Sequence, residues 1–597
     1  MTVCARLVPV LLGFAFFSAP LAAQSDDHKP AQVVELVITA SGSEDPLPQN
    51  PLGPSRRNFR GKLQQIRDMA ADENVAGVRL VVKGIPGLAK SIDLLAELSA
   101  LKAAGKTIVC YTETLDRNGL LFCSLADQLV MPPSGMIILE GMVAEMMYYK
   151  ELLDTLDVSL EVLHIGDYKT AYENFALNAM SDGQREVIKV ILDEHFSQLI
   201  ASVADHRGLA EEQVLAFFDQ LIVDPSAAAQ GGLIDAAVYE DEFDDVMDVL
   251  FGSDHEMVEH YGDRTQEDIE AMLENPFAIF SLLPQLLNPP AIKMPEEAYV
   301  GVVYASGAII SGKSQVDFEG NVSSMGSETI VAALQKVGED DNCKAVVLRV
   351  NSPGGSAMAS DMIWQAIERV KENKPVISSM GSVAASGGYW ISMGCDAIVA
   401  QPSTITGSIG VVSMLPDVSR ALKSLGVSVQ TVAVGPRGDE MSLLAHGPSE
   451  GLKSTMTHWM ELTYDEFISK VSNGRNIPAD RVQELAQGRV WTGRQAEQNG
   501  LVDTLGGLTE SIELACVMAG LDVEGTPLVE LPEAPNIMEQ IEESMGNMVS
   551  VHSAEERLLI ALGLSEVLDM AEQLASHPRA LHSDSVQAIL PWRLLLR

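Results

Sequence analysis

The chain has 597 residues, of which 47% are hydrophobic and 21% are charged. It is too long for one ordinary hydrophobic core and too apolar to be disordered, which predicts a globular protein of two or more domains. A formal net charge of −43 excludes the basic surface that binds nucleic acid, so we expect no nucleic-acid partner.

The N-terminus has the pattern of an export segment. One basic residue, Arg6, precedes an uncharged apolar run at 7–23, and acidic and polar residues follow at once. This order is typical of a secretory signal or of a membrane anchor, and the sequence leaves open whether the segment is cleaved or retained. In either case residues 1–32 are predicted to take the rest of the chain out of the cytoplasm.

The sequence then repeats itself at a nearly constant offset. AQGGLID at 229–235 recurs as EQNGLVD at 497–503, and LIASVADHRG at 199–208 recurs as FISKVSNGRN at 467–476, both at an offset of 268. HIGDYK at 164–169 lies over AVGPRG at 433–438, at an offset of 269. We infer two homologous repeats at 33–250 and 299–523, each a complete folding unit.

Two further segments lie outside the repeats. The connector at 251–298 has a helical pattern that becomes punctuated by prolines. The C-terminal extension at 524–597 has apolar residues at helical spacing, which predicts short helices that pack on the core or on a neighbouring molecule.

Within each repeat, strand and helix patterns alternate. YVGVVYASGAI and KAVVLRV are β-branched and flanked by turn residues, which predicts buried strands, whereas SDMIWQAIERVKEN is an amphipathic helix pattern. This alternation predicts an α/β fold with βαβ units and a largely parallel sheet.

Two turns of the second repeat predict an anion site beside a serine. The S-P-G-G motif holds Gly354 and Gly355 between a strand and a helix, where glycine torsions can turn amides toward a ligand. The A-A-S-G-G motif holds Ser386 before another helix, so its own amide and that of Gly387 are expected to point outward. Either motif alone is commonly only a tight turn, but together they place a hydroxyl beside a preformed oxyanion site.

A base for this serine is not found nearby in the sequence. His446 and His458 could approach Ser386 only through the fold, and a G-x-S-x-G elbow is absent around it. The sequence also lacks H-E-x-x-H and G-x-G-x-x-G, so we expect no metal and no cofactor.

The two repeats differ in a reciprocal way at these positions. Where the second repeat has Ser386, the first has Asn118 at an offset of 268, and where the first has Lys169, the second has Gly438 at an offset of 269. Each repeat keeps a residue that the other has lost. We therefore predict one site assembled from both repeats.

These motifs carry a family resemblance. NSPGGS, AASGGYW, PSTITGSIG and YKTAYENF, in a duplicated exported chain, resemble the signal peptide peptidase A family in its long, two-domain form. The resemblance implies tandem crotonase-like or Clp-protease-like α/β domains. It also implies a serine endopeptidase that degrades signal peptides and similar apolar segments on the periplasmic side of the inner membrane as a homotetramer.

The family's functional residues map onto this sequence by motif. The resemblance implies that Ser386 is the nucleophile, that Lys169 is the general base and that Ser408 helps to hold the lysine. The oxyanion donors implied are Gly354 or Gly355 together with Gly387. One departure is Asn174, where the family commonly has proline. This difference affects the expected shape of the loop that carries Lys169, not the expected pairing of Lys169 with Ser386.

A lysine can act as a general base only if its pKa is lowered. A solvated lysine has a pKa of about 10.4 and is protonated at neutral pH, so Lys169 must be desolvated to act as a base. We expect the carboxylate of Glu173 to point away from its amine. Two alternatives stay open at this stage, namely an acyl-CoA hydratase or isomerase built on the same fold, and a duplicated scaffold whose sites have decayed.

Overall fold

The computed structural model describes most of the two repeats. The export segment, most of the connector and most of the C-terminal extension lie outside the described residues, so the predictions on them stay predictions. Within the described ranges no helix is long and apolar enough to cross a bilayer. The described residues are 30–40, 42–48, 56–263, 293–316, 321–534 and the strand at 587–589.

The first repeat alternates strands and helices. In chain order these are β1 (Gln32–Ile38), α1 (Phe59–Ala71), β2 (Val75–Val82), α2 (Leu88–Ala103), β3 (Thr107–Tyr111), β4 (Thr114–Asp116), α3 (Arg117–Cys123), β5 (Gln128–Met131), β6 (Met136–Ile138), α4 (Lys150–Thr155), β7 (Ser159–Ile165), α5 (Glu173–Ala176), α6 (Asp182–Arg207), α7 (Glu211–Phe218), β8 (Ile222–Val223), α8 (Pro225–Gln230), β9 (Ala236–Ala237), α9 (Glu240–Phe251) and β10 (Glu256–Val258).

The second repeat follows the same order with additional strands. It contains β11 (Tyr299–Ser306), β12 (Ala308–Ile310), β13 (Gln315–Val316), β14 (Val322–Gly326), α10 (Ser327–Glu339), β15 (Cys343–Ser352), β16 (Gly354–Ser356), α11 (Ala357–Lys371), β17 (Val376–Ala385), α12 (Gly387–Ser392), β18 (Ala397–Ala400), β19 (Ile405–Gly407), β20 (Val411–Asp417), α13 (Ser419–Ser424), α14 (Leu443–His446), α15 (Glu450–Arg475), α16 (Ala479–Leu485), β21 (Val490–Thr492), α17 (Gly493–Asn499), β22 (Thr504–Leu505), α18 (Leu508–Ala519), β23 (Leu528–Leu531) and β24 (Gln587–Ile589).

Each repeat is built on a parallel sheet with the same strand order. The first sheet runs β10-β1-β2-β3-β5-β9, and the equivalent path in the second runs β23-β11-β15-β17-β18-β22, with every pair parallel. The outermost strands β10 and β23 lie beyond residues 250 and 523, the predicted ends of the two repeats. Each sheet therefore recruits an edge strand from the segment that follows its repeat.

The core of the second repeat contains the buried strand and the amphipathic helix that the sequence predicts. All eight residues of β11 are buried, as expected for a β-branched strand covered on both faces. Helix α11 buries Ile363, Ile367 and Val370 along one face, at the spacing of an amphipathic helix. Its N-cap is Ser356, whose side chain accepts a hydrogen bond from the amide of Ala359.

A third sheet joins the two repeats. Its order is β13-β14-β12-β16-β24-β20-β7, so β7 of the first repeat pairs with β20 of the second. The two strands are antiparallel over their whole length, from Ser159 opposite Asp417 to Ile165 opposite Val411. This pairing carries the loop after β7, which holds Lys169, across to the second repeat.

A buried ion cluster also holds the repeats together. The guanidinium of Arg349, on β15, lies 3.1 and 3.2 Å from the two carboxylate oxygens of Glu44 and 3.8 Å from Asp93 on α2. Lys90 lies 3.2 Å from Glu44 on its other side. Burial alone would raise the pKa of Glu44, but Arg349 and Lys90 hold it below its ordinary value. Removing one member would leave a buried charge unpaired, which typically costs about 3–5 kcal/mol.

Candidate active site

Ser386 occupies the turn between β17 and α12. It is 0% exposed, and its backbone has φ 56° and ψ −113°, a conformation that residues other than glycine rarely adopt. A non-glycine residue in such a conformation persists only where the surrounding structure enforces it, and these positions cluster at functional sites. The strained turn aims the serine away from its own helix.

Backbone hydrogen bonds hold this turn in place. The amide of Ser386 donates to the carbonyl of Gly407 at 2.8 Å, and the amide of Trp390 donates to the carbonyl of Ser386 at 2.8 Å. The expectation that the Ser386 amide faces a ligand is therefore wrong, because β19 uses that donor. The amide of Gly387, the next residue, remains as the donor at this helix start.

Lys169 lies on the loop after β7 and reaches into the second repeat. Its Nζ is 2.7 Å from the Oγ of Ser386. A backbone hydrogen bond fixes the loop to the second repeat, since the amide of Tyr168 donates to the carbonyl of Gln487 at 2.8 Å. A methyl group on Gly488 would lie 2.6 Å from the Cβ of Lys169, so glycine is required where these two loops cross.

Among the described residues, the amine of Lys169 has no counter-charge and is buried. The side chain is 0% exposed, and burial holds the pKa of Lys169 well below its ordinary value. The carboxylate of Glu173 points elsewhere, because it accepts hydrogen bonds from the Oγ and amide of Ser181 at 2.7 and 3.1 Å. A desolvated lysine with no ion-pair partner favours the neutral amine.

Ser408 supplies the other contacts of this amine. The Nζ of Lys169 lies 3.0 Å from the carbonyl oxygen of Ser408 and 3.1 Å from its Oγ. Ser408 itself has φ 51°, and its amide donates to the carbonyl of Arg489 at 2.7 Å. A neutral amine has two N–H donors and one lone pair. Ser408 can accept from both donors, which leaves the lone pair for the hydroxyl of Ser386.

The glycines of the S-P-G-G turn lie next to this pair. Gly354 and Gly355 have φ 103° and 156°, and a methyl group on Gly355 would lie 2.1 Å from the carbonyl oxygen of Ile309. The amide of Gly354 donates to the Oγ of Ser352 at 3.1 Å. A methyl group on Gly387 would lie 3.1 Å from the nitrogen of Gly355. The nitrogen of Gly355 therefore lies close to Gly387, the residue that follows the serine.

A strand from the chain's own C-terminal extension lies in the groove beside these glycines. β24 runs antiparallel between β16 and β20, with Ala588 opposite Gly355, Ile589 opposite Gly354 and Gln587 opposite Val412. Backbone pairing of this kind is how an extended peptide adds to a sheet edge. The groove in front of Ser386 therefore accepts a peptide backbone in extended form.

A cavity of about 1010 Å³ opens near this groove and is lined from both repeats. Its walls are mostly apolar, but they include His195, Ser382 and Ser403. His195 Nε2 lies 3.0 Å from the carbonyl of Ser403. Its Nδ1 and the hydroxyls of Ser382 and Ser403 find no hydrogen-bond partner among the described residues. No sequence signal singled out these three residues, although Ser403 lies within the PSTITGSIG motif.

Other residues singled out in the sequence lie apart from the pair. His446 contacts the carbonyl of Gly447 at 2.8 Å, and His458 lies near Glu461, so neither histidine is bonded to Ser386. The side-chain nitrogen of Asn174 donates to the carbonyl of Met147 at 2.8 Å. A proline at this position could not make that contact.

The residue that replaces Ser386 in the first repeat differs from the one expected. The strand pair Asp116–Ile138 of β4 and β6 matches the pair Ala385–Gly407 of β17 and β19, which gives an offset of 269 rather than 268. Arg117, not Asn118, therefore follows the equivalent strand. Neither residue carries a nucleophilic hydroxyl, and both line the cavity.

Comparisons with known proteins give matches in both repeats. The family model described as peptidase family S49 matches residues 100–252 and 368–522, and the one described as Clp protease matches residues 302–404. One S49 match falls in each repeat, which confirms the predicted fold of two tandem Clp-protease-like units.

Several curated relatives extend over most of the chain. Protease 4 of Haemophilus influenzae is 33% identical over 466 residues, which span 76% of this chain and 71% of that protein. Protease 4 of Salmonella typhi is 31% identical over 496 residues, which span 81% and 75%. The chloroplastic serine protease SPPA of Arabidopsis thaliana is 28% identical over 486 residues, which span 80% and 68%.

Proposed function

This chain belongs to peptidase family S49 and is a serine protease, and we propose that it cuts peptides with a Ser–Lys dyad divided between its two repeats. Ser386 is the nucleophile and Lys169 is the general base. Ser408 positions the lysine, and the amides of Gly355 and Gly387 form the oxyanion hole.

The reaction proceeds by acyl transfer. The neutral amine of Lys169 takes the proton from the Oγ of Ser386 as the Oγ attacks a peptide carbonyl carbon. The oxyanion that forms accepts hydrogen bonds from the Gly355 and Gly387 amides. The protonated lysine then gives its proton to the leaving amine. A water molecule, deprotonated by the same lysine, hydrolyses the acyl-enzyme and regenerates Ser386.

One observation carries this proposal, namely the 2.7 Å separation of the Lys169 and Ser386 side chains in a site where burial depresses the lysine pKa. A surface lysine would be protonated and could not accept the proton. The nearby carboxylate of Glu173 bonds to Ser181 instead, so it does not favour the charged form of the amine.

We propose apolar, extended peptides as substrates, including signal peptides left after secretion. The backbone pairing of β24 supports an extended peptide in the groove, and the largely apolar cavity lined by both repeats supports apolar side chains. The export segment of the sequence supports a site on the periplasmic side of the inner membrane. A homotetramer remains the assembly that the family resemblance implies.

The dyad is tested with Ser386→Ala and Lys169→Ala in the purified protein, against a fluorogenic signal-peptide substrate. Both variants should lose at least about 10²-fold in kcat/KM, the contribution typical of such groups. Ser413→Ala is the matched control, because Ser413 is a buried serine on β20 whose hydroxyl finds no partner among the described residues. Normal turnover in either dyad variant would remove the proposed mechanism.

A serine-directed phosphonate gives a second test that needs no substrate. The reagent should label the wild-type protein on Ser386, and peptide mapping should find no label on the Ser386→Ala variant. Labelling at another serine, with Ser386 unmodified, would assign the nucleophile elsewhere.

A further inference from the structure

One segment of the second repeat has the sequence of a strand but pairs with no strand in the described part of the chain. Residues 427–434 read VSVQTVAV, a β-branched composition typical of a strand, and every residue of this stretch is exposed. Val432 and Val434 are 97% and 92% exposed. Among the described residues, no backbone hydrogen bond is made by the amides of residues 428–434. An uncovered apolar edge of this kind is a ready template for pairing with another chain.

This segment is the duplicate of β7. Helix α4 (Lys150–Thr155) before β7 and helix α13 (Ser419–Ser424) before the segment have the same length and are related by an offset of 269. Gly166 after β7 and Gly435 after the segment both have positive φ, 112° and 90°, and are related by the same offset. This offset therefore places residues 428–434 over β7, which is fully paired with β20.

The first repeat contains the matching duplicate of β20. At the same offset, β20 lies over residues 142–148, which read MVAEMMY and form neither a helix nor a strand in the described structure. Exposure alternates along this stretch, and Val143 and Met147 are 50% and 64% exposed. The backbone groups of Met147 and Tyr149 are held by Asn174 of the same repeat. Because backbone groups alternate in direction along a strand, the groups of the even-numbered residues face the open edge.

We propose that residues 428–434 of one molecule pair with residues 142–148 of a second copy of this chain, as β7 pairs with β20 within the chain. The internal pairs join residues whose numbers sum to 576, such as Val411 and Ile165. The equivalent pairs between copies have the same sum. The offset of 269 is subtracted from each residue number of β20 and added to each residue number of β7. The pairs between copies are then Met142 with Val434 through Tyr148 with Ser428, antiparallel.

The contact is head to tail. Each molecule offers one segment of its second repeat and one of its first, so the two surfaces are different and the contact repeats from copy to copy. Heterologous contacts of this kind close into a ring when the rotation between copies allows it. Val429 would then lie opposite Met147, and Val432 opposite Ala144, rather than face water.

This contact adds no second catalytic centre. It would bring Gly438, which occupies the position of Lys169, toward Arg117 of the other molecule's first repeat, which occupies the position of Ser386. Neither a base nor a nucleophile is present there. The interface is therefore structural, and the inference does not depend on the proposed catalytic mechanism.

Cysteine cross-linking tests the register. Met147→Cys with Val429→Cys, and Met146→Cys with Gln430→Cys, join adjacent predicted pairs, one of which falls at a non-hydrogen-bonded position. Opposite residues of an antiparallel pair have Cα atoms about 4.5 Å apart at non-hydrogen-bonded positions and about 5.5 Å apart at hydrogen-bonded ones, within the range of roughly 4.4–6.8 Å that a disulfide spans. We expect at least one pair to form disulfides between molecules on oxidation. The pair Met147→Cys with Val432→Cys is out of register and should not form a disulfide. The cysteines of the described part of the chain are buried and do not compete.

The oligomeric state gives the second readout. The wild-type protein should be an oligomer by light scattering, and Val432→Asp should dissociate it while leaving the fold unchanged, because this side chain is exposed in the single chain. Val249→Asp on α9, also at an exposed valine (79%), should leave the oligomer intact. A monomeric wild-type protein would overturn the proposal. So would equal cross-linking of the in-register and out-of-register cysteine pairs. Both readouts are independent of protease activity, so loss of activity alone leaves this inference standing.

Discussion

The Nζ of Lys169 lies 2.7 Å from the Oγ of Ser386, although the two residues are 217 positions apart in the chain. The pairing of β7 with β20 closes this distance, because it carries the lysine loop from the first repeat onto the second. The proposed catalytic site therefore lies at the junction of the two repeats rather than within one domain.

The pH dependence of turnover should reveal a lysine whose pKa is depressed. Only the neutral amine can act as the base, so kcat/KM should rise with pH through the lowered pKa and level off well below 10.5, the ordinary lysine value. Because burial, rather than a neighbouring charge, causes the shift, added salt should hardly move the inflection. The measurement is kcat/KM from about pH 5 to 10 at low and high ionic strength. A rate that still climbs tenfold per pH unit above pH 9 would contradict a buried neutral base.

Ser408→Ala should slow the enzyme without abolishing it. The variant removes one hydrogen bond to the Lys169 amine but keeps the carbonyl of residue 408, which lies 3.0 Å from Nζ. A single hydrogen bond is worth about 1 kcal/mol, so kcat should fall about fivefold with KM little changed, and the inflection of the pH profile should move. Ser408→Thr should restore much of the rate. An unchanged pH profile together with a merely lower melting temperature would reduce Ser408 to a packing role.

Ser386 should also destabilise the folded protein. Its φ of 56° suits glycine, and a non-glycine residue in such a conformation costs roughly 1–3 kcal/mol. Ser386→Gly should therefore melt at a higher temperature than Ser386→Ala, although both variants should be inactive. At Ser413, in the regular strand β20, the order should reverse, because glycine weakens a strand. Equal melting temperatures for the two Ser386 variants would show that the turn is not strained.

Removing the chain's own strand from the groove should strengthen substrate binding. β24 pairs with Gly354 and Gly355, and Ser386 and Lys169 are both 0% exposed, so a peptide must displace this strand to reach the serine. A protein that ends at residue 586 should have a several-fold lower KM for short peptides and an unchanged kcat. Adding residues 587–597 back as a free peptide should raise KM again. An unchanged KM would mean that the strand does not compete with substrate.

Both members of the proposed dyad could be predicted from the sequence. Ser386 stands out because a strand, a glycine turn and a helix start follow one another locally. Lys169 stands out because Gly438 takes its place in the other repeat. Both signals are local or arise from comparing two copies of one unit, so neither required knowledge of the tertiary contacts. The fold class followed from the same repetition and from the alternation of strand and helix patterns.

The remaining features depend on contacts between distant segments. The Ser386 amide was expected to face a ligand, but it donates to Gly407, which lies on a neighbouring strand. His195 meets Ser403 across the junction of the repeats, and β24 returns to the groove from the far end of the chain. An offset that drifts by one residue also misaligned Asn118 with Ser386. Hydrogen bonds and register of this kind are determined by packing, which a single sequence does not reveal.

The division of the proposed dyad between two repeats of one chain has a genetic consequence. Because Lys169 and Ser386 of each centre come from the same polypeptide, alleles that lack one residue each cannot complement one another when expressed together. Every mixed assembly would contain only defective centres. If an ancestral unit carried both residues, then after fusion the second lysine and the second serine could be lost without harm, but neither unit alone would then be an active enzyme.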